Sequence, residues 1–310
     1  MNRARAGLIL QLTVSLVLLA GIARQVPLAD AAAAFRRVAP ATLVAAAMLA
    51  LVGYVGRARR WSLLLGRCGV PLAASTSYRL TLVGTFYGMM TPGRVGEFAR
   101  VLHVPGPRSA MLASVVWDRI ADVLILETMC VPAFAFVPAW RGPLLWAYLG
   151  LVGFTVAGLL VLGSPVAARW AGRALPFLAR PAARWGDHSQ SLLRGGASLA
   201  SFGWGGLFYV FVYAAAWLLL RDLAPGVSPR LLLGLPVIPL LGNLPVALGG
   251  LGLREQVSAS VFRQFGAGAA TGAVFSLLWF GVSTLVPGLL GLLIAATPWA
   301  RANPAGGGTA

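Results

Sequence analysis

Lysine is absent from this 310-residue chain, and acids are scarce: eight carboxylates stand against 25 arginines, a formal net charge of +17. Charged residues make up only 11% of the chain, where a soluble domain carries about a quarter. With 58% hydrophobic residues and a mean hydropathy of +0.81, that shortage excludes an ordinary water-soluble domain. Cysteine and histidine are nearly missing too. Cys68, Cys130, His103 and His188 stand too far apart for metal-ligand spacing or a disulfide framework, so they read as apolar fillers and interfacial imidazoles, with no cofactor implied. Aromatics are not interleaved with the arginines as base stacking requires, so the basic excess points to anionic lipid and not to nucleic acid.

What the chain has instead is charge-free apolar runs. A hydrocarbon core takes about 20 helical residues. The runs Ala6–Ala23, Val38–Gly56, Gly142–Ala168, Gly195–Leu220, Leu231–Leu253 and Gln264–Ala300 meet or approach that length. The last is one long helix, or two segments meeting near Pro287–Gly288. The expected fold is an all-α polytopic bundle of about seven or eight membrane segments: a single integral membrane domain over residues 1–300, followed by a flexible tail, 301–310. The basic start and long apolar core of the N-terminus fit an uncleaved signal anchor.

Arg57–Arg79 carries five arginines and no acid, and Arg169–Arg194 carries five against Asp187. Placing both, with the N-terminus, in the cytoplasm of a bacterial inner-membrane protein satisfies the positive-inside bias. Leu80–Gly106 must then dip into the membrane and return, or Arg79 must lie deeper than this orientation assumes. "RARRWSLLLGRCGVPL" reads as an interfacial helix with Trp61 and its leucines against lipid.

Two short stretches interrupt the apolar pattern. In "TPGRVGEFAR", Pro92 ends a helix near Met90, and a new one starts near Val95. Freed backbone cannot face lipid, so the break lines a wet cavity or is buried in protein. The second half holds a weak echo, "GGLGLRE" after Pro245, and paired Gly/Pro interruptions of this kind point to a binding site made of broken helices. Helix starts beside Arg94 and Arg254 suit an anion. Arg94, Glu97 and Arg100 are three apart and share a face, so Glu97 can hold both arginines oriented. In "SVVWDRIADVLILE", Asp118 and Asp122 lie one turn apart, with Arg119 three before Asp122 and Glu127 projecting elsewhere. Ionised groups at mid-bilayer are costly unless paired, which leads to the expectation that Arg94 or Arg254 faces Asp118 or Asp122.

These residues resemble a known family. "GTFYGMMTPGRVGEFARVLHV", "SVVWDRIADVLIL" and "LPVALGGLGLREQV" are similar to the flippase-like membrane region of lysylphosphatidylglycerol synthases, over roughly Leu8–Leu293. The resemblance implies a bundle that binds or moves an anionic phospholipid or a polyprenyl-phosphate-linked lipid. It carries over Pro92, Gly93, Arg94, Gly96, Glu97, Arg100, Asp118, Arg119, Gly249, Gly250, Gly252, Arg254 and Glu255. The residue reading adds Asp122 and Asn243 to this substrate-binding set. The chain departs from relatives that have Asn before the Pro-Gly motif; here the stretch is Tyr87-Gly88-Met89-Met90. No aminoacyl-transfer domain follows the last run, so a translocator without that chemistry is expected. Its rivals are a membrane-embedded transferase on a lipid-linked substrate and an accessory subunit that docks a lipid-synthesis enzyme or a second copy through small-residue faces.

Overall fold

The computed structural model describes residues 21, 28–104, 106–137, 140–164, 197–243 and 250–297. All regular structure among them is helical. In chain order the elements are α1 (Leu28–Arg36), α2 (Pro40–Arg67), α3 (Ala74–Met89), a 3-10 segment (Pro92–His103), α4 (Arg108–Phe136), α5 (Pro143–Gly163) and α6 (Ala197–Leu223). Then follow α7 (Leu231–Gly234), α8 (Val237–Gly242), α9 (Leu253–Gln264), α10 (Ala269–Phe280), a π turn (Gly281–Leu285) and α11 (Val286–Ala296). Among the described residues, Pro40–Arg67, Leu199–Leu223 and Ala269–Ala296 are long and apolar enough to cross a membrane. The expected first span, Ala6–Ala23, lies outside the described residues apart from Gly21, as do the signal anchor, the loop Arg169–Arg194 with His188, and the tail.

The structure decides three sequence expectations, overturning two of them. First, the apolar run of α2 does not stop at Gly56. The helix continues to Arg67, and Trp61 is fully buried, donating its indole N–H to the Ser114 hydroxyl at 3.2 Å. The reason is periodicity: Tyr54, Arg57, Ala58, Trp61, Leu64 and Leu65 form one buried stripe at helical spacing, while Arg59 and Arg67 lie off it and are exposed. Second, Leu231–Leu253 is not one span. Pro236 and Pro239 leave only the short helices α7 and α8 before the chain turns at Asn243. Third, of the two alternatives for the last run the long helix holds: Ala269–Ala296 is continuous through Pro287, and its irregularity is the π turn just before it. Proline at 287 offers no N–H to the carbonyl four residues back, and that carbonyl, on Ser283, accepts instead from the Tyr54 hydroxyl at 3.1 Å.

Close helix approach depends on small residues. A Cβ on Gly56 would lie 2.6 Å from the Trp204 carbonyl oxygen, so α2 and α6 meet backbone to backbone. Between Leu80 and His103 the chain forms a hairpin: the 3-10 segment runs back along α3. A Cβ at Gly84 would sit 3.3 Å from the Arg100 side chain, and one at Gly88 only 2.6 Å from that of Glu97. At Gly96 the fit is tighter still, 2.0 Å from the Tyr87 carbonyl oxygen. Gly96→Ala is therefore expected to push the hairpin apart at a cost of about 3 kcal/mol. Thermal unfolding in detergent checks this, with Gly153→Ala, which meets nothing within 4 Å, as the control that leaves stability unchanged or slightly raised. Both cysteines are free and buried, and burial pushes the Cys68 thiol, just past the end of α2, up to about 11.

Candidate functional site

Three elements project charge into one buried cluster. From α2, Arg57 Nη2 donates to Glu97 Oε2 at 2.9 Å and reaches Asp122 Oδ2 at 3.5 Å. Arg60 Nε donates to Asp118 Oδ1 at 2.7 Å, while its Nη2 lies 2.6 Å from Asp122 Oδ1. From the 3-10 segment, Arg100 Nη2 donates to Asp118 Oδ2 at 2.6 Å, its guanidinium 4.2 Å from the centre of the Trp61 ring. From α4, Arg119 bridges Glu97 at 3.0 Å, Asp122 at 2.8 Å and Asp118 at 3.2 Å. Arg60 and Asp118 are wholly buried. The local geometry follows from helix type: a 3-10 segment stacks every third residue, which puts Arg94, Glu97 and Arg100 in line. On α4, Asp118, Arg119 and Asp122 share the facing side at spacings of three and four.

The expectation that Arg94 or Arg254 would face Asp118 or Asp122 is corrected. Arg57 and Arg60 occupy those places, and both had been assigned by sequence to an interfacial stretch. Their signal was present: Arg57, Arg60, Trp61 and Leu64 follow the apolar stripe of α2 in register. Glu97 does not hold Arg94 and Arg100 as a pair either. Arg100 belongs to Asp118, and Arg94 Nη1 is 3.8 Å from Glu97 Oε1, beyond hydrogen-bonding distance.

Arg94 and Arg254 instead meet at a cavity of about 80 Å³ that adjoins the cluster, since Arg57 and Asp122 also line it. Asn243, Ser276 and Thr284 supply polar edges, and Tyr54, Phe208, Tyr209 and Phe280 supply aromatic walls. The two glycine-rich breaks are thus brought to one place. Arg254 reaches it by laying its stem across Gly242, where a Cβ would sit 2.2 Å from Arg254 Cγ. Its guanidinium stacks 3.8 Å from the Phe280 ring centre, and its Nε and Nη2 are buried without a hydrogen-bond partner. Arg94 Nη2 is 3.5 Å from the Thr284 hydroxyl, at the π turn. With φ at 58°, Arg94 is the one non-glycine residue with positive φ among the described residues, a strained conformation that aims its side chain.

The helix starts themselves contribute less than the sequence implied. Pro92 and Gly93 open the 3-10 segment, but Thr91 already serves its first donors. Gly96 N–H donates to Thr91 Oγ1 at 2.6 Å, and Arg94 N–H to the Thr91 carbonyl at 3.2 Å. At the second break, Gly252 adopts φ of 84° and donates its N–H to Glu255 Oε2 at 2.7 Å, the glutamate half of a capping box. Glu255 Oε1 accepts from the Ser276 hydroxyl at 3.2 Å and lies 3.7 Å from Arg254. Gly250 packs against the Gly242 carbonyl in the same turn, while Gly249 lies outside the described residues. Anion-binding capacity therefore resides in guanidinium side chains more than in bare helix N-termini.

Around the cluster and cavity six guanidiniums (Arg57, Arg60, Arg94, Arg100, Arg119, Arg254) face four carboxylates (Glu97, Asp118, Asp122, Glu255), an excess of two positive charges. Among the described residues there is no group of three or more His, Cys, Asp or Glu side chains placed to hold a metal ion. The chain belongs to the family described as lysylphosphatidylglycerol synthase TM region, whose model matches residues 8–291. No curated protein and no solved structure matches it.

Proposed function

Starting from that membership, we propose that this integral membrane protein is a lipid translocator that takes the headgroup phosphate of an anionic phospholipid, or of a polyprenyl-phosphate-linked lipid, between Arg94 and Arg254. The observation that carries the reading is Arg254: a buried guanidinium with unpartnered donors aimed at a cavity is an anion site waiting for its anion. The two-charge excess more than neutralises the single charge of a phosphodiester headgroup and matches a terminal phosphate monoester. Asn243, Ser276 and Thr284 can take further phosphate oxygens, and the aromatic walls keep the contact largely dry, which strengthens it.

In this mechanism the buried cluster is scaffold and the cavity is working surface. Arg57, Arg60, Arg100 and Arg119 are each ion-paired at 3.2 Å or less to Glu97, Asp118 or Asp122, although each keeps at least one buried nitrogen without a hydrogen bond, and the pairs fix α2, the hairpin and α4 relative to one another. Arg94 is the movable member, since its contact to Glu97 is already long. An arriving phosphate competes for it and draws the hairpin tip toward α9. A residual role in docking a lipid-synthesis enzyme is compatible with the site but draws on none of these features. One integral membrane domain over residues 1–300, in a bacterial inner membrane with a cytoplasmic N-terminus, completes the proposal.

Vesicles of phosphatidylglycerol and phosphatidylethanolamine carrying tail-labelled fluorescent phosphatidylglycerol test it. Purified protein is expected to expose the inner-leaflet label to a membrane-impermeant reductant. Arg94→Ala is expected to lose that activity, and Arg59→Ala, an exposed arginine of α2, to keep it. Label movement equal to that of protein-free vesicles overturns the translocator reading.

A further inference from the structure

One buried carboxyl takes no part in the arginine cluster. Glu127 lies on α4 about two and a half turns beyond Asp118, on the side that faces α5. It is 3% exposed, and no guanidinium among the described residues pairs with it. Its Oε1 is 2.7 Å from the Thr155 hydroxyl of α5, and its Oε2 is buried without a partner. The other titratable groups nearby are Tyr148 on α5, whose hydroxyl donates to the Glu127 backbone carbonyl at 2.7 Å, and Cys130 one turn on. Tyr213 on α6 lies beyond Cys130. Past Cys130 the same seam widens into a largely apolar cavity of about 350 Å³ lined by Phe134, Leu144, Leu151 and Leu240.

The proton count favours the neutral acid. Thr155 Oγ1 lies 2.7 Å from Glu127 Oε1 and 3.1 Å from the Leu151 carbonyl oxygen. A hydroxyl has one hydrogen to give. If Glu127 were ionised, both neighbours would be acceptors and one of the two contacts would lack a proton. With the neutral acid, Oε1–H donates to Thr155 Oγ1, and Thr155 donates onward to Leu151, so each contact has its own hydrogen. A buried ionisable side chain with no counter-charge among the described residues is also a functional candidate.

We propose that Glu127 and Thr155 form a proton-binding site in the seam between α4 and α5, occupied at neutral pH, whose emptying releases α5 from α4. Resting on the translocator reading, the seam is the place where a transmembrane proton gradient acts on lipid movement. A carboxylate left behind by proton loss has no cation to pair with among the described residues and only the Thr155 hydroxyl to solvate it, so it favours a movement of α5 that opens the seam.

The proton site is tested independently of transport. Infrared spectra of the full chain in phosphatidylglycerol nanodiscs at pH 7 are expected to show a protonated carboxylic C=O stretch that Glu127→Gln removes. Thr155→Val is expected to shift that band upward by deleting its hydrogen bond. If the two variants leave the band region unchanged, the proposal is overturned, and Thr155→Val decides the matter alone if Glu127→Gln does not fold. In vesicles with an imposed pH gradient, label movement is expected to respond to the gradient in the wild type and not in Glu127→Gln. An equal response in both overturns the coupling role. A protein that moves no lipid overturns the translocator reading and the coupling with it, while the infrared band still decides whether the seam binds a proton.

Discussion

Asp118→Ala is expected to be the most damaging single substitution in this protein, costing about 3–5 kcal/mol, the range seen when one partner of a buried ion pair is removed. Asp118 accepts from Arg60 at 2.7 Å and Arg100 at 2.6 Å, with Arg119 at 3.2 Å. Asp118 is the only carboxylate paired with Arg100 among the described residues, so alanine would leave that guanidinium buried against Trp61 with no counter-charge. A loss of this size consumes much of a typical stability margin of about 5–15 kcal/mol. The readout is the yield of monodisperse protein and its unfolding midpoint in detergent. Exposed Asp30→Asn is the control, expected to stay within about 0.5 kcal/mol. The cluster account makes a stricter demand as well: Asp118→Asn combined with Arg100→Met should cost less than the two separate losses added, because the second change removes the orphan the first creates.

Arg254→Met is expected to do the opposite: large for ligand, small for fold. The guanidinium has unpartnered Nε and Nη2, a 3.7 Å approach to Glu255 and a stack on Phe280. Losing the stack costs about 0.5–2 kcal/mol, and relieving a desolvated, weakly paired cation offsets it, so stability should stay within about 1 kcal/mol of wild type. A hydrogen-bonded contact from a cation to phosphate contributes about 2 kcal/mol, so retention of phosphatidylglycerol should weaken about thirtyfold. A variant that unfolds like Asp118→Ala would place Arg254 in the scaffold instead of the working surface.

Much of this was legible in the sequence, and the parts that were not have identifiable causes. Apolar runs give an all-helical membrane chain because the hydrocarbon core sets a length, and Pro92 and the glycines of "GGLGLRE" mark breaks because no helix tolerates them cheaply. Arg57 and Arg60 escaped because hydropathy averages over a window and treats "RARRW" as the end of a span. The helical stripe, which separates Arg57 and Arg60 from Arg59 and Arg67, carries the information instead. Pairing was not legible at all: several arginines and three acids allow many matches, and only helix crossing selects Arg60 and Arg100 for Asp118. The role of Glu255 at the helix start, accepting the Gly252 N–H three residues back, was signalled only by the Gly252-x-x-Glu255 spacing. The prolines at 236 and 239 were the available sign that Leu231–Leu253 would not run as one helix.

Native mass spectrometry of the protein extracted in mild detergent tests most directly whether the paired breaks hold a lipid phosphate. The wild type is expected to carry a phosphate-bearing lipid at near one per chain, and Arg94→Ala with Arg254→Met to emerge folded and stripped of it. The same lipid at the same occupancy on the folded double variant would contradict the account.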